Sequence, residues 1–348
     1  MASPLKEGSL WPASLALSAP AYLLPIFNPD LFWHLSSGRW ILRHGAVPRA
    51  DFLSFTMEGA PWSDFEWLSQ LIFQGIYSLG GMPALWALKA VLLALSARLF
   101  LRTLALYSLP ELHRGAALVL WSLAALAGSD IRPELFSLLI FSALVLGLEA
   151  HRLGRLTLRP AAFFAVFALW ANFHAGFPFG LLLLACYAAA AAAARTAWRP
   201  LMLCAAAAGG GALCTPYGLG PYLVSFQHWQ GRSDMAAYIQ EWHPMTLVNA
   251  FHWPFWLVLI LFAMALARAW GRARRSASWG LALAGLILGL NSLLHARLAA
   301  YFGVVALPLV FSLTGDVPVT RALKRAAVAA AVIVTAFFVL TLPARSWR

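Results

Sequence analysis

Residues 253–267 read WPFWLVLILFAMALA, and none of their side chains is charged. In lipid, irregular backbone would leave its N–H and C=O groups unpaired, so a run of this kind is stable there only as a helix. Comparable runs recur in both directions, centred near Leu17, Leu93, Leu120, Leu144, Phe167, Leu184, Ala206, Leu259, Leu286, Val305 and Ile333. A crossing needs about 20 mostly apolar residues. The pattern predicts an all-α integral membrane protein with about 11 transmembrane helices, forming one polytopic domain over residues 1–348. The runs around Leu120 and Ala206 are short for a straight crossing. No succession of alternating ten-residue strands is present, which argues against a β-barrel.

Composition agrees with this reading. Charged residues make up 11% of the chain, against about 25% for a soluble domain, so a water-facing surface is missing. The net charge of +12 does not imply a nucleic-acid partner, because the cations sit in short loops between apolar runs, where basic residues set topology. Cys186, Cys204 and Cys214 fall in apolar segments without metal-ligand spacing and read as packing residues. The opening run at 9–27 is followed by Asn28-Pro29-Asp30, which lacks a small-residue cleavage pattern, so it reads as a retained first span with its N-terminus inside. Gly209-Gly210-Gly211 invites close helix contact.

With that orientation, 16 of the 25 cations fall on the cytoplasmic side, as the positive-inside rule requires. The basic run at 268–275 then faces anionic inner-leaflet lipid. Most of the acids and histidines fall on the other side. A membrane protein without outer chemistry has little reason to gather titratable groups there. Two outer segments are long, 28–83 and 215–253, and loops of that length usually carry structure or function of their own. The first predicts two aromatic-rich surface helices: 31–44, bounded by Asp30 and Gly45, and 63–78, stopped by Gly80-Gly81.

Several short motifs line these outer segments. They are Asn28-Pro29-Asp30-Leu31-Phe32-Trp33-His34-Leu35, Gly38-Arg39-Trp40-Ile41, Pro48-Arg49-Ala50-Asp51 and Pro61-Trp62-Ser63-Asp64-Phe65-Glu66-Trp67-Leu68. Later come Arg132-Pro133-Glu134-Leu135-Phe136, Trp170-Ala171-Asn172-Phe173-His174, Thr215-Pro216-Tyr217-Gly218 and Glu241-Trp242-His243-Pro244. In this order they resemble the GT-C-type glycosyltransferases, closest to a bacterial multi-pass branch, over roughly residues 9–313. The resemblance implies an inverting transferase of the bacterial inner membrane. It would take a sugar from a polyprenyl-phosphate donor and pass it to an acceptor on the non-cytoplasmic face.

The resemblance also implies that the acid just after the first span, here Asp30, acts as base or helps hold a divalent metal. Relatives carry a second acid two positions earlier, where this chain has Asn28, and that departure weakens a metal-bridging reading. The chemistry needs a carboxylate because the acceptor hydroxyl must lose its proton as it attacks. It needs cations because negative charge develops on the departing phosphate.

Each candidate has a structural reading beside the chemical one. Asp30 is placed to cap the helix that follows, and Ser63 with Glu66 fits a capping box, leaving Asp64 as the freer carboxylate. Asp51 is a third candidate base, or a loop residue that pairs or caps. Arg132 before Pro133 marks a helix start and also suits bidentate phosphate binding. His295 and Arg297 lie at the outer end of a span at helical spacing from Asn291, either snorkelling or facing a polar cavity. His174 is an interface residue or a ligand contact. The motifs add His34, Arg39, Glu66 and Glu241 to the substrate-binding set. The rival readings are a transporter or flippase of a lipid-linked or small anionic substrate, with Lys89 as its deep charge, and a non-catalytic assembly subunit.

Overall fold

The structure, a computed structural model, describes residues 26, 28–231, 239, 242–271 and 277–314. The expected spans around Leu17 and Ile333, Glu241, and Arg272, Arg274 and Arg275 of the basic run lie outside the described residues. Within them every regular element is helical, apart from one isolated bridge between Ala50 and Pro61. In chain order the helices are α1 (Asp30–His44), α2 (Trp67–Ala105), α3 (Glu111–Ala124), α4 (Glu134–Arg152), α5 (Pro160–Phe173) and α6 (Phe177–Ala193). They continue with α7 (Arg199–Gly211), α8 (Gly220–Gln230), α9 (Trp253–Trp270), α10 (Trp279–Leu294) and α11 (Ala299–Thr314).

Every predicted centre from Leu93 to Val305 falls inside a helix. Among the described residues four stretches are long and apolar enough to cross a membrane: Trp67–Ala105, Glu134–Arg152, Trp253–Trp270 and Ala296–Leu313. Helices α5, α6 and α10 are apolar but shorter. At 14 and 13 residues, α3 and α7 reach only about 20 Å, well under the hydrocarbon thickness. Proline in the first turn of α5, α6, α7, α8 and α9 sets the starting φ where no N–H partner is needed.

Helix α11 is the axis of the bundle, packed against α3, α9 and α10. The Ala296–Leu313 stretch is 89% buried within the protein, against 33% for Trp253–Trp270. Phe255 and Phe262 of α9 turn inward onto Phe302, while Leu257, Ile260 and Met264 are exposed. This suits a helix with one face to protein and one to lipid.

Two glycines set the closest helix approaches. A Cβ on Gly211 would lie 2.2 Å from the Phe164 carbonyl oxygen, so α7 meets α5 backbone to backbone. The small-residue contact predicted for 209–211 is therefore made by Gly211; Gly209 and Gly210 have ordinary room. Gly211→Ala should cost about 1–3 kcal/mol, the range for overpacking against a part that cannot yield, read as a fall in thermal unfolding temperature. Gly38 plays the same part where α1 crosses α2, 2.2 Å from the Gln70 carbonyl oxygen.

The chain alternates between two ends. One, the head end, gathers α1, the first half of α2 and the loops before α4, after α5, after α7 and after α10. Ser69 Oγ donates to Phe173 O, Asn172 Nδ2 to Cys214 O, and Ala296 N to His243 O. The break predicted at Gly80-Gly81 is present as two non-helical glycines, with Gly81 at φ 61°, and α2 resumes beyond it. At the opposite end Glu149, fully buried, accepts hydrogen bonds from Tyr187, Ser278 and Tyr107 and pairs with Arg152 at 2.8 Å. One carboxylate there ties together α4, α6, the turn after α2 and the start of α10.

Candidate functional site

The site is built from short segments of the head end that meet around Glu66. The first is the entry to α1. Its N-cap is Pro29, and Asp30 is the first helical residue, with no side-chain cap bond. Asp30 is therefore not the cap expected of it. Asn28 takes the local role instead, because its Oδ1 accepts from Asp30 N and from Arg132 Nη2, each at 3.1 Å. The Asp30 carboxylate is about half exposed (51%) and lies 3.5 Å from Arg132 Nη2.

The second segment is the turn before α2, which starts at Trp67 and not at Ser63. The expected capping box is absent: Glu66 occupies the N-cap but makes no side-chain cap bond. Its carboxylate points between two imidazoles, with Oε2 3.9 Å from His34 Nδ1 and Oε1 3.6 Å from His174 Nε2. Asp64 is not the freer of the two acids. It is buried (2% exposed), and its Oδ1 accepts from Gln70 Nε2 at 2.7 Å. Trp67 Nε1 donates to Asn172 Oδ1 at 2.7 Å, which anchors this turn to the end of α5.

Two further segments carry the cations. Arg132 stands just before α4 and Arg297 in the turn between α10 and α11. Arg297 Nη2 donates to Glu134 Oε2 at 3.1 Å, and its guanidinium lies over the Trp242 ring, 5.3 Å from the centroid. His295 Nδ1 lies 3.2 Å from Trp242 O and pins the second long loop to the same place. Asn291 takes no part, because its amide turns back to Ile287 O.

Electrostatics set the protonation states. Burial pushes Glu66 up to about 8, the Asp64 charge adding to it while Arg297 and Arg132 oppose. Burial likewise raises Asp64 to about 7 against the pull of the Gln70 hydrogen bond. Burial drives His34 and His174 down to about 3, helped by Arg132 and Arg297 respectively. Two neighbouring carboxyl groups are thus raised toward neutrality, and one of them, Glu66, lies between imidazoles that stay neutral, an arrangement suited to moving a proton.

The histidines also fix an acid sensitivity. Their folded values lie below the ordinary 6.5. The stability they contribute is therefore present above that pH and is lost as pH falls toward the folded values. Each unit of acidification in that window costs up to about 1.4 kcal/mol per histidine. Glu66 and Asp64, whose folded values are raised, gain stability over the upper part of that window and offset the loss. Thermal unfolding should therefore fall net only below the ordinary Glu66 value of 4.5, and the His34→Gln/His174→Gln variant should flatten that fall.

The structure thus brings together Asp30, His34, Asp64, Glu66, Arg132, His174, His295 and Arg297. Arg39 is exposed on α1 and stays outside the cluster. Asp51 is spent on its own loop, accepting from Leu53 N, Ser54 N and Ser54 Oγ, and the Ser54 hydroxyl does most to hold its carboxyl below the usual range. Glu134 and Trp170, which stand in the quoted motifs without an assigned role, join the site, as do Ser137 and Gln70, which no motif contained. Glu134 and Ser137 are three residues apart on α4, a spacing that puts them on one face.

A divalent metal does not fit this donor set. Asn28 offers an amide oxygen and not a carboxylate, that oxygen is engaged with Arg132, and Asp30 is paired with the same guanidinium. Among the described residues no group of three or more His, Cys, Asp and Glu side chains is placed to hold a metal ion. No known protein family, curated protein or solved structure matches the chain, so any functional reading rests on this site.

Proposed function

We propose that this protein is a membrane glycosyltransferase that moves a sugar from a polyprenyl-phosphate donor to an acceptor on the non-cytoplasmic face, with Glu66 as the proton-accepting carboxylate. One observation carries the reading: the largely enclosed Glu66 carboxylate, held between His34 and His174 and raised to about 8, lies within electrostatic reach of two arginines that come from segments far apart in the chain. Glu66 takes the acceptor proton as the hydroxyl attacks the anomeric carbon. Arg132 and Arg297 meet the charge that develops on the departing phosphate. Asp30 and Glu134 hold the two guanidinium groups in place before the donor arrives. The finer architecture belongs to the same reading, with about 11 crossings in a GT-C-like arrangement and the head end outside the cytoplasm.

A transporter would place its polar groups near mid-membrane on broken helices. Here the cluster is at one end, and the deep charge Lys89 is influenced by Asp130 from that same end. Arg132→Gln and Arg297→Gln should each weaken donor binding by about 1.5–3 kcal/mol, the value of a hydrogen bond to a charged group. The measurement is titration of the purified protein with a polyprenyl-phosphate sugar. Deleting the gene should lead to accumulation of that donor in the membrane lipids. Unchanged donor affinity in both variants, with no lipid accumulating, would remove the proposal.

A further inference from the structure

His174, beside Glu66, is gripped from its far side. Its Nδ1 lies 2.8 Å from Ser137 Oγ, and that oxygen accepts a hydrogen bond from the Trp170 indole Nε1 at 2.7 Å. Ser137 is fully buried; His174 and Trp170 are its hydrogen-bond partners by distance, and the Tyr301 hydroxyl, which has no other partner, also reaches toward it. A hydroxyl has one proton and two lone pairs, whereas an indole N–H can only donate. The indole occupies one lone pair, and the Tyr301 hydroxyl, with no other acceptor, has its own proton to direct at the other, which leaves His174 Nδ1 as the acceptor for the serine proton. If Nδ1 carried a proton and donated it to Ser137, the serine proton would have to turn to Tyr301, and the Tyr301 proton would then be buried without an acceptor, at a cost of about 1–3 kcal/mol. His174 accordingly holds its proton on Nε2, the nitrogen that faces Glu66 Oε1.

We propose that Ser137 is a positioning residue: backed by Trp170, it locks His174 in the Nε2–H tautomer, so that the imidazole presents a donor to Glu66 and not a lone pair. The functional weight of this rests on the reading of Glu66 as the proton acceptor. The tautomer itself is a property of the fold.

Gly176 supplies a second, independent observation. A Cβ there would lie 2.5 Å from Ser137 Oγ and 2.9 Å from His174 Nδ1. Its φ of −83° is open to any residue, so glycine is required for space and not for conformation. The three groups follow the order serine, histidine, carboxylate, but the serine is not a nucleophile. It is sealed in the core, while Glu66 at the other end keeps 12% of its side chain exposed. The device therefore acts outward, toward the carboxylate. A donor aimed at Glu66 favours its charged form, against the burial and the Asp64 and Glu134 charges that disfavour it and alongside Arg132 and Arg297. His34 faces the other carboxylate oxygen.

The test is ¹⁵N-histidine NMR of the full chain in lipid nanodiscs, with His174 assigned by its loss in His174→Gln. The wild type should show Nε2 protonated and Nδ1 as a hydrogen-bonded acceptor. Ser137→Ala should lose that Nδ1 signature and populate both tautomers, and carbonyl infrared titration should show the Glu66 midpoint moved upward. Gly176→Ala should reproduce the change by wedging the same contact apart. In transfer assays Ser137→Ala should shift the pH midpoint of kcat upward and leave KM for the donor unchanged. A wild-type proton on Nδ1, or an unaltered tautomer in folded Ser137→Ala, overturns the proposal whatever the protein's activity. Full activity in Glu66→Gln would overturn the functional reading and leave the tautomer result standing.

Discussion

Glu66→Gln should lower glycosyl transfer by about 10²–10⁴-fold, the usual contribution of a positioned general base. Glutamine keeps the shape of the protonated carboxyl but cannot take the acceptor's proton. The wild-type rate should rise with pH through the region of 7 to 8, where the Asp64–Glu66 pair ionises, and the variant should lose that rise. Stability should move the other way. The folded value of Glu66 lies above its ordinary 4.5, so the folded state holds a proton that the unfolded chain releases. Stability from this group is complete below that ordinary value and is lost as pH climbs through the folded one. Glu66→Gln should therefore unfold at a higher temperature than wild type at pH 9 and at a similar one at pH 4. Asp30→Asn is the paired control, since asparagine can still accept a hydrogen bond from Arg132. Retained activity in Asp30→Asn with loss in Glu66→Gln places the base at Glu66. The opposite pattern returns it to Asp30.

The largest effect on stability is expected far from that site. Glu149→Ala should cost about 3–5 kcal/mol, the range for breaking a buried ion pair by removing one partner. The hydroxyls of Tyr107, Tyr187 and Ser278 all converge on this carboxylate, and the substitution strands them together. Arg152 keeps 27% of its side chain exposed and can turn to solvent, so Arg152→Gln should cost distinctly less. Thermal or denaturant unfolding in nanodiscs gives the comparison. A Glu149→Ala penalty below 1 kcal/mol, about the worth of a single hydrogen bond, would mean that the network does not act as one unit. Any folded fraction should retain its donor affinity, since the Glu149 network and the head end lie at opposite ends of the bundle.

The sequence placed the helices well, because apolar runs and proline at helix starts are local signals. Leu93 through Val305 all fall within helices, α1 ends at Gly45 with φ 63°, and the glycine pair at 80–81 breaks α2. It also singled out most of the head-end cluster, since acids and histidines concentrated beside apolar runs have few structural uses. What it misjudged were roles. Asp30 and Glu66 both look like helix caps in one dimension, and neither makes a cap bond.

Charged-state chemistry depends on burial and on partners more than 100 residues away, as Glu66 with His174 and Asn28 with Arg132 show. No local pattern carries that information. Ser137 and Glu149 were invisible for the same reason: a lone serine or glutamate in an apolar helix gains meaning only from what packs against it. The sequence by itself determined that the chain is helical, apolar enough for a membrane and polar at one end, because hydrophobic periodicity and backbone pairing act over a single helix. Only the tertiary structure decided which carboxylate is buried, which arginines face it and which nitrogen of His174 holds the proton, because desolvation and hydrogen bonding are set by neighbours that folding brings together.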